Sequence, residues 1–143
     1  MHRTAAIFIL MSLSLPAQAS HELDGRDLAQ GAALYGEHCA ACHGANLEGQ
    51  PNWRSPNADG TLPAPPHDET GHTWHHDNQL LFDYTRLGGQ RALAERGITG
   101  FQSGMPGFES ILAPEGIWNI LAYIRSTWPE QVQEIQSTRN PQH

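Results

Sequence analysis

Apolar residues recur at helical spacing in three stretches of the chain, and no stretch alternates apolar with polar residues as a β-strand does. Each stretch opens with a residue that favours the start of a helix; these residues are Asp27, Asp77 and Pro114. The stretches end at Cys42, at Gly88-Gly89 and before Pro129. The pattern predicts helices over 28–42, 78–87 and 114–128, and therefore an all-α fold of three or four helices joined by long loops.

The segments between these helices are rich in turn-forming residues. Residues 44–74 contain five prolines, which prevent a regular helix there. Loops of this length are usually functional or wrap around another group. A second loop is expected from Gly88 to Met105, and a polar C-terminal tail over 130–143.

The first residues carry the pattern of an export signal. A short basic start, Met1–Thr4, precedes an apolar run that closes with Ala19, which predicts a secretory signal peptide over 1–19. The run is shorter than the roughly 20 residues that span a bilayer, and no later stretch is long enough to form a transmembrane segment. We therefore expect an exported protein, soluble in the periplasm or a similar compartment after cleavage, with one domain over 20–129.

The charge of the chain is strongly acidic. The formal net charge is −7, and the chain contains no lysine. Loss of Arg3 with the signal peptide would make the mature charge one unit more negative. Because nucleic-acid binding depends on basic groups that neutralise phosphates, the composition argues against nucleic acid as a partner. It favours a partner with a basic docking surface.

Two cysteines lie three residues apart and are followed at once by a histidine, in Cys39-Ala40-Ala41-Cys42-His43. This spacing is the signature of covalent haem attachment, in which both thiols bond the haem edge and His43 ligates the iron. A thioredoxin-like redox pair lacks the following histidine, and a zinc site would need further ligands. The motif therefore predicts one haem c bound through Cys39 and Cys42.

The sixth iron ligand is expected to be Met105. It is the only methionine outside the predicted signal peptide, and it lies in the turn-rich sequence Ser103-Gly104-Met105-Pro106-Gly107. The following proline favours an extended backbone at Met105, which can present the thioether inward. Methionine is a common axial haem ligand beside histidine, so the metal ligands are predicted to be His43 and Met105.

These motifs together resemble class I cytochromes c over nearly the whole mature chain. The residues that carry the resemblance are Gly31, Tyr35, Cys39, Cys42, His43, Gly44, Met105, Pro106 and Leu121 to Ile124. The resemblance implies the cytochrome c fold around one covalently attached haem. It also implies that Gly31 and Tyr35 of the first helix contact Ile120 and Tyr123 of the last one.

The resemblance implies roles for further residues near the cofactor. Trp74 matches the tryptophan that hydrogen-bonds a haem propionate, and Tyr84 matches a tyrosine near the methionine, although the spacing between them differs by a residue or two. In this family a proline carbonyl accepts from the proximal imidazole and fixes its orientation. Pro63, Pro65 or Pro66 could supply that carbonyl.

A histidine-rich segment departs from the simple family pattern. Four histidines crowd between Pro66 and Asp77: His67, His72, His75 and His76. Imidazoles at this density could bind copper or zinc. Alternatively, His67 or His72 could ligate the haem iron in place of Met105, which would give a bis-histidine haem. We expect no tight transition-metal site, because the spacing is irregular and neighbouring side chains face apart.

The function indicated by the sequence is one-electron transfer. An exported mono-haem cytochrome of this kind carries electrons between redox partner proteins such as an oxidase, a reductase or a dehydrogenase. The sequence shows no constellation of nucleophile and general base for catalysis, so an enzyme is not expected. Two alternatives are a haem enzyme or gas sensor with a displaceable Met105, and a copper-handling haem protein that uses the cluster from His67 to His76.

Overall fold

The computed structural model of the protein describes residues 22–141, so the predicted signal peptide lies outside the described residues. The described part contains six α-helices, one short 3₁₀-helix and no β-strand. The helices are α1 (Leu28–His38), α2 (Ala40–His43), α3 (Asn78–Leu87), α4 (Gly89–Glu95), α5 (Pro114–Ser126) and α6 (Glu130–Ser137), and the 3₁₀-helix covers Thr73–His75. The prediction of an all-α fold is confirmed. None of the described helices is long and apolar enough to cross a membrane.

The helix starts follow from local capping chemistry. The Asp27 carboxylate accepts a hydrogen bond from the amide of Gln30, and the Asp77 carboxylate accepts one from Leu80. Each contact satisfies an amide of a first turn that has no partner within its helix. Pro114 occupies the first turn of α5, where a missing N–H costs nothing. All three predicted starts are confirmed. The first predicted helix is divided at Cys39, where α1 ends and the single turn α2 begins.

Two helices lie where the sequence analysis expected irregular chain. Helix α4 interrupts the predicted loop after Gly88, and α6 occupies the start of the predicted polar tail. Helix α4 is short, and none of its large side chains is buried. Its sequence therefore shows little apolar periodicity from which a helix could be predicted. The one fully buried residue of α6 is Gln136, whose amide donates to Asn78 Oδ1 at 2.8 Å. A helix fixed through a polar residue does not show the apolar stripe that predicts burial.

Helices α1 and α5 cross in close contact, and Gly31 makes this contact possible. A Cβ atom at Gly31 would lie 2.7 Å from the Asn119 carbonyl carbon and 2.9 Å from Tyr123 Cβ, distances that real Cβ atoms do not adopt. One turn further along, the Tyr35 ring contacts the Tyr123 ring with centroids 5.7 Å apart. Ile120 is buried in the same core. The expected packing of the first helix on the last is therefore present, with Asn119 as an additional contact.

Candidate functional site

Of the haem motif, Cys39 lies at the junction of α1 and α2, and Cys42 and His43 lie in the single turn of α2. Cys39 is buried, Cys42 is exposed, and both thiols are free. Burial raises the pKa of the Cys39 thiol to about 11, and the neighbouring Cys42 adds to this effect. A redox-active cysteine pair requires a thiol with a lowered pKa, so this environment does not favour thioredoxin-like chemistry.

The His43 imidazole is held by the backbone of the long proline-rich loop. It is only 7% exposed, and its Nδ1 donates to the carbonyl oxygen of Pro65 at 2.8 Å. Burial lowers the pKa of His43, while the hydrogen bond to Pro65 acts in the opposite direction. The ring is therefore neutral near pH 7, and with its proton on Nδ1 it keeps the Nε2 lone pair for a metal. Of the three candidate prolines, Pro65 makes this contact.

Two further contacts fix the backbone around His43. The Tyr35 hydroxyl donates to the carbonyl of Gly44 at 2.9 Å, which ties the end of α2 to α1. The amide of Gly49 donates to the His43 carbonyl at 2.7 Å. A Cβ at Gly49 would lie 2.6 Å from the Pro65 carbonyl carbon, so only glycine lets the loop approach this closely. Gly49 is a site residue that the sequence analysis missed, because only the folded path of the loop brings it to Pro65.

The Met105 loop is attached to the junction of α3 and α4 by main-chain contacts. The amide of Gly89 donates to the Met105 carbonyl at 3.1 Å, and the amide of Phe108 donates to the Thr85 carbonyl at 3.1 Å. Gly88 has a φ of +84°, and a Cβ there would lie 2.7 Å from the Gly107 amide nitrogen. The position of Met105 is thus set by the backbone on both sides of it.

Tyr84 reaches the Met105 loop through Ser103. The Tyr84 hydroxyl and Ser103 Oγ are hydrogen-bonded at 3.0 Å, and the Met105 amide donates to the same Oγ at 3.3 Å. The expected proximity of Tyr84 to the methionine is therefore mediated by a serine. Ser103 was not predicted as a site residue.

Trp74, which is expected to donate a hydrogen bond to a haem propionate, lies in the 3₁₀-helix and is partly buried. Its indole N–H donates to the Glu69 carbonyl at 3.2 Å, and its ring stacks on His75 with centroids 3.7 Å apart. A second tryptophan, Trp128, is almost fully buried, and its indole N–H donates to the His67 carbonyl at 2.7 Å. Trp128 was not predicted as a site residue, although it supports the loop that holds His43.

The four clustered histidines have different neighbours. The His67 ring stacks on the His43 ring with centroids 4.0 Å apart, and its Nδ1 is hydrogen-bonded to Thr73 Oγ1 at 2.8 Å. Burial and the neighbouring His43 and His72 lower the pKa of His67 well below its usual value. The contacts of the other rings are His72 with Trp53, His72 with His76, and His75 with Trp74. Within residues 22–141 no group of three or more histidine, cysteine or acidic side chains is arranged to hold a metal ion.

The donor set at His43 fits a c-type haem. Two free thiols immediately precede a buried neutral imidazole whose Nδ1 is already engaged, and no residue of the described chain hydrogen-bonds its Nε2. A family model for cytochrome c matches residues 28–128, and the chain belongs to this family. Membership implies a protein that binds haem covalently and carries electrons. No curated protein and no solved structure matches the chain significantly.

Proposed function

We propose that the protein is an exported mono-haem c-type cytochrome that carries single electrons between redox partners. In this proposal Cys39 and Cys42 attach the haem, and His43 and Met105 are the axial ligands of its iron. The bound haem would supply the reversible one-electron chemistry. The observation that carries the proposal is the buried His43, whose Nδ1 is engaged by Pro65 directly after two free cysteines.

The chain's own residues would keep the ligands in place during electron transfer. Pro65 orients His43, while Gly89 and Ser103 hold the backbone of Met105. Ligands fixed in this way move little when the charge of the iron changes, which favours fast transfer. A thioether ligand also favours the reduced state and raises the reduction potential.

The positions of the histidines support Met105 as the sixth ligand. His67 stacks face to face with His43, whereas two imidazoles on opposite sides of one iron direct their nitrogens towards each other. The Nδ1 atom of His67 is also engaged by Thr73. The other alternative, His72, stacks on Trp53 with an interplanar angle of 9°. We therefore expect neither ring to replace Met105.

The wider setting is part of the same proposal. The predicted signal peptide supports export to the periplasm, and the acidic chain supports partners with basic docking surfaces, such as an oxidase, a reductase or a dehydrogenase. We propose Trp74 as a haem-contacting residue and Tyr84 as a support of the methionine loop. We propose electron transfer, rather than catalysis, as the activity.

Substitution of Met105 tests this function. The holoprotein, made with haem-maturation machinery, should show the ferric absorption band of methionine ligation. Met105→Ala should keep the haem attached, abolish that band, lower the reduction potential and admit carbon monoxide. Ile111→Ala is the control, since it shortens an exposed apolar side chain that is not part of the proposed site. An unchanged spectrum and potential in Met105→Ala would exclude Met105 as a ligand, and carbon monoxide binding by the unaltered protein would favour the gas-sensor alternative.

Attachment is tested separately. Cys39→Ser combined with Cys42→Ser should give little stable protein, because the proposal makes the covalent haem part of the core. Recovery of a compact, fully helical and haem-free domain from this double variant would contradict the proposal.

A further inference from the structure

The ring of His67 covers one face of the His43 imidazole. The two ring centroids are 4.0 Å apart, and the ring planes are inclined by 23°. The hydrogen bond from His43 Nδ1 to Pro65 fixes one atom of the imidazole but still allows the ring to tilt about that contact. A flat neighbour at stacking distance limits this tilt. The two contacts together define the plane of the proximal ring.

His67 is itself held at three points. Its Nδ1 is hydrogen-bonded to Thr73 Oγ1 at 2.8 Å, its amide donates to the Leu47 carbonyl at 2.8 Å, and its carbonyl accepts from the indole of Trp128 at 2.7 Å. Thr73 is buried. The bond to Thr73 satisfies a ring nitrogen and also sets the rotation of the His67 ring.

From this geometry we infer that His67 is a positioning residue that fixes the plane of the His43 imidazole and thereby tunes the haem iron. The inference rests on the proposed ligation of iron by His43. Partners of a metal-bound histidine set its orientation and adjust the properties of the metal. The pair Thr73 and His67 adds a second orienting contact to the one made by Pro65.

The test compares three holoprotein variants by electron paramagnetic resonance of the ferric haem and by redox titration. The g-values of low-spin ferric haem report the orientation of the axial ligand planes. His67→Leu keeps an apolar side chain of similar size but removes the flat, anchored ring. Thr73→Val keeps His67 and removes its anchor. His76→Leu is the matched control, because His76 lies in the same segment but its ring contacts His72 instead of His43.

We expect His67→Leu to retain covalent haem with altered g-values and a shifted midpoint potential. Thr73→Val should change both in the same direction by a smaller amount, and His76→Leu should leave both unchanged. Wild-type g-values in both His67→Leu and Thr73→Val would overturn the inference and reduce His67 to a core residue. If His67→Leu fails to mature, Thr73→Val decides alone. Absence of covalent haem from the unaltered protein would instead refute the proposed function.

Discussion

The indole of Trp128 donates a hydrogen bond of 2.7 Å to the carbonyl of His67, which joins the residue just after α5 to the loop behind His43. Trp128 is only 4% exposed, so its indole N–H lies in the interior and needs this partner. The contact links the C-terminal helices to the candidate haem site across 61 residues of sequence.

Trp128→Phe should therefore destabilise the holoprotein. The variant keeps an aromatic ring but removes the donor to the His67 carbonyl, and a hydrogen bond of this kind contributes about 0.5–1.5 kcal/mol. Denaturant unfolding measures the loss. Trp118→Phe is the control, because the Trp118 ring stacks on Phe82 and its indole N–H donates to no residue in the described part of the chain. Equal losses in both variants would show that ring size, and not the hydrogen bond, matters at Trp128.

The close crossing of α1 and α5 gives a second prediction. Gly31→Ala should lower the free energy of unfolding by several kcal/mol or prevent folding, because its Cβ would meet Asn119 and Tyr123 at distances below 3.0 Å. Gly36→Ala, in the same helix, has no atom within 4 Å of the added Cβ and should stabilise by about 0.5–1 kcal/mol. Thermal unfolding of the two variants would refute the packing argument if Gly31→Ala were as stable as Gly36→Ala.

Local signals in the sequence were sufficient for part of the fold. The observed bounds of α3, Asn78–Leu87, are those predicted from the Asp77 cap and the Gly88-Gly89 stop, since both signals lie next to the helix they bound. The haem motif was equally local. Helix α6 was missed because its burial depends on Gln136 and Asn78, two polar residues 58 positions apart.

The supporting residues of the site could not be predicted for the same reason. Three nearby prolines were equivalent in sequence, and only the folded path of the loop selects Pro65 as the partner of His43. The stacking of His67 on His43 likewise depends on a loop with no regular period. Residue types with defined chemistry were identifiable, whereas the contacts that orient them are long-range.

Stability should fall as the pH is lowered through the histidine range. Burial, with charge from neighbouring groups, lowers the pKa of both His72 and His76. An unfolded histidine titrates near about 6.5, so below that pH the unfolded chain binds more protons than the folded one. The free energy of unfolding therefore decreases with decreasing pH. Urea unfolding of the holoprotein at several pH values measures how steeply the free energy of unfolding changes with pH. This dependence should be shallower in the double variant His72→Asn with His76→Asn. An identical dependence would contradict the assignment of the effect to these two histidines.

Copper should bind weakly at best to the histidine-rich segment. His72 and His76 are close, with ring centroids 5.4 Å apart, but His67 is engaged by Thr73 and His75 stacks on Trp74. Tight transition-metal sites usually need three or four converging ligands. Isothermal titration of the holoprotein with copper measures the affinity. A stoichiometric nanomolar site, abolished by His72→Ala combined with His76→Ala, would support the copper-handling alternative.

Electron transfer to a basic partner protein should slow as salt rises. The chain has a formal charge of −7. Five of its arginines are already paired with acidic neighbours; these are Arg26, Arg86, Arg91, Arg96 and Arg125. At physiological ionic strength charges interact over only about 8 Å, so added salt weakens the attraction that brings the partners together. Stopped-flow rates at increasing salt test this expectation, with an uncharged redox reagent as the control. Rates that do not respond to salt with the physiological partner would indicate an apolar docking surface.

The contacts that hold the Met105 loop in shape do not depend on which side chain residue 105 carries. The loop is held by the Gly89 amide, by Ser103 Oγ and by the close approach at Gly88, none of which uses the Met105 side chain. Under the proposed ligation of the iron by Met105, residue 105 is the position at which one axial ligand type can be exchanged for another, such as histidine or lysine, without removing these loop contacts. A series of such replacements would span a range of redox potentials within a single scaffold.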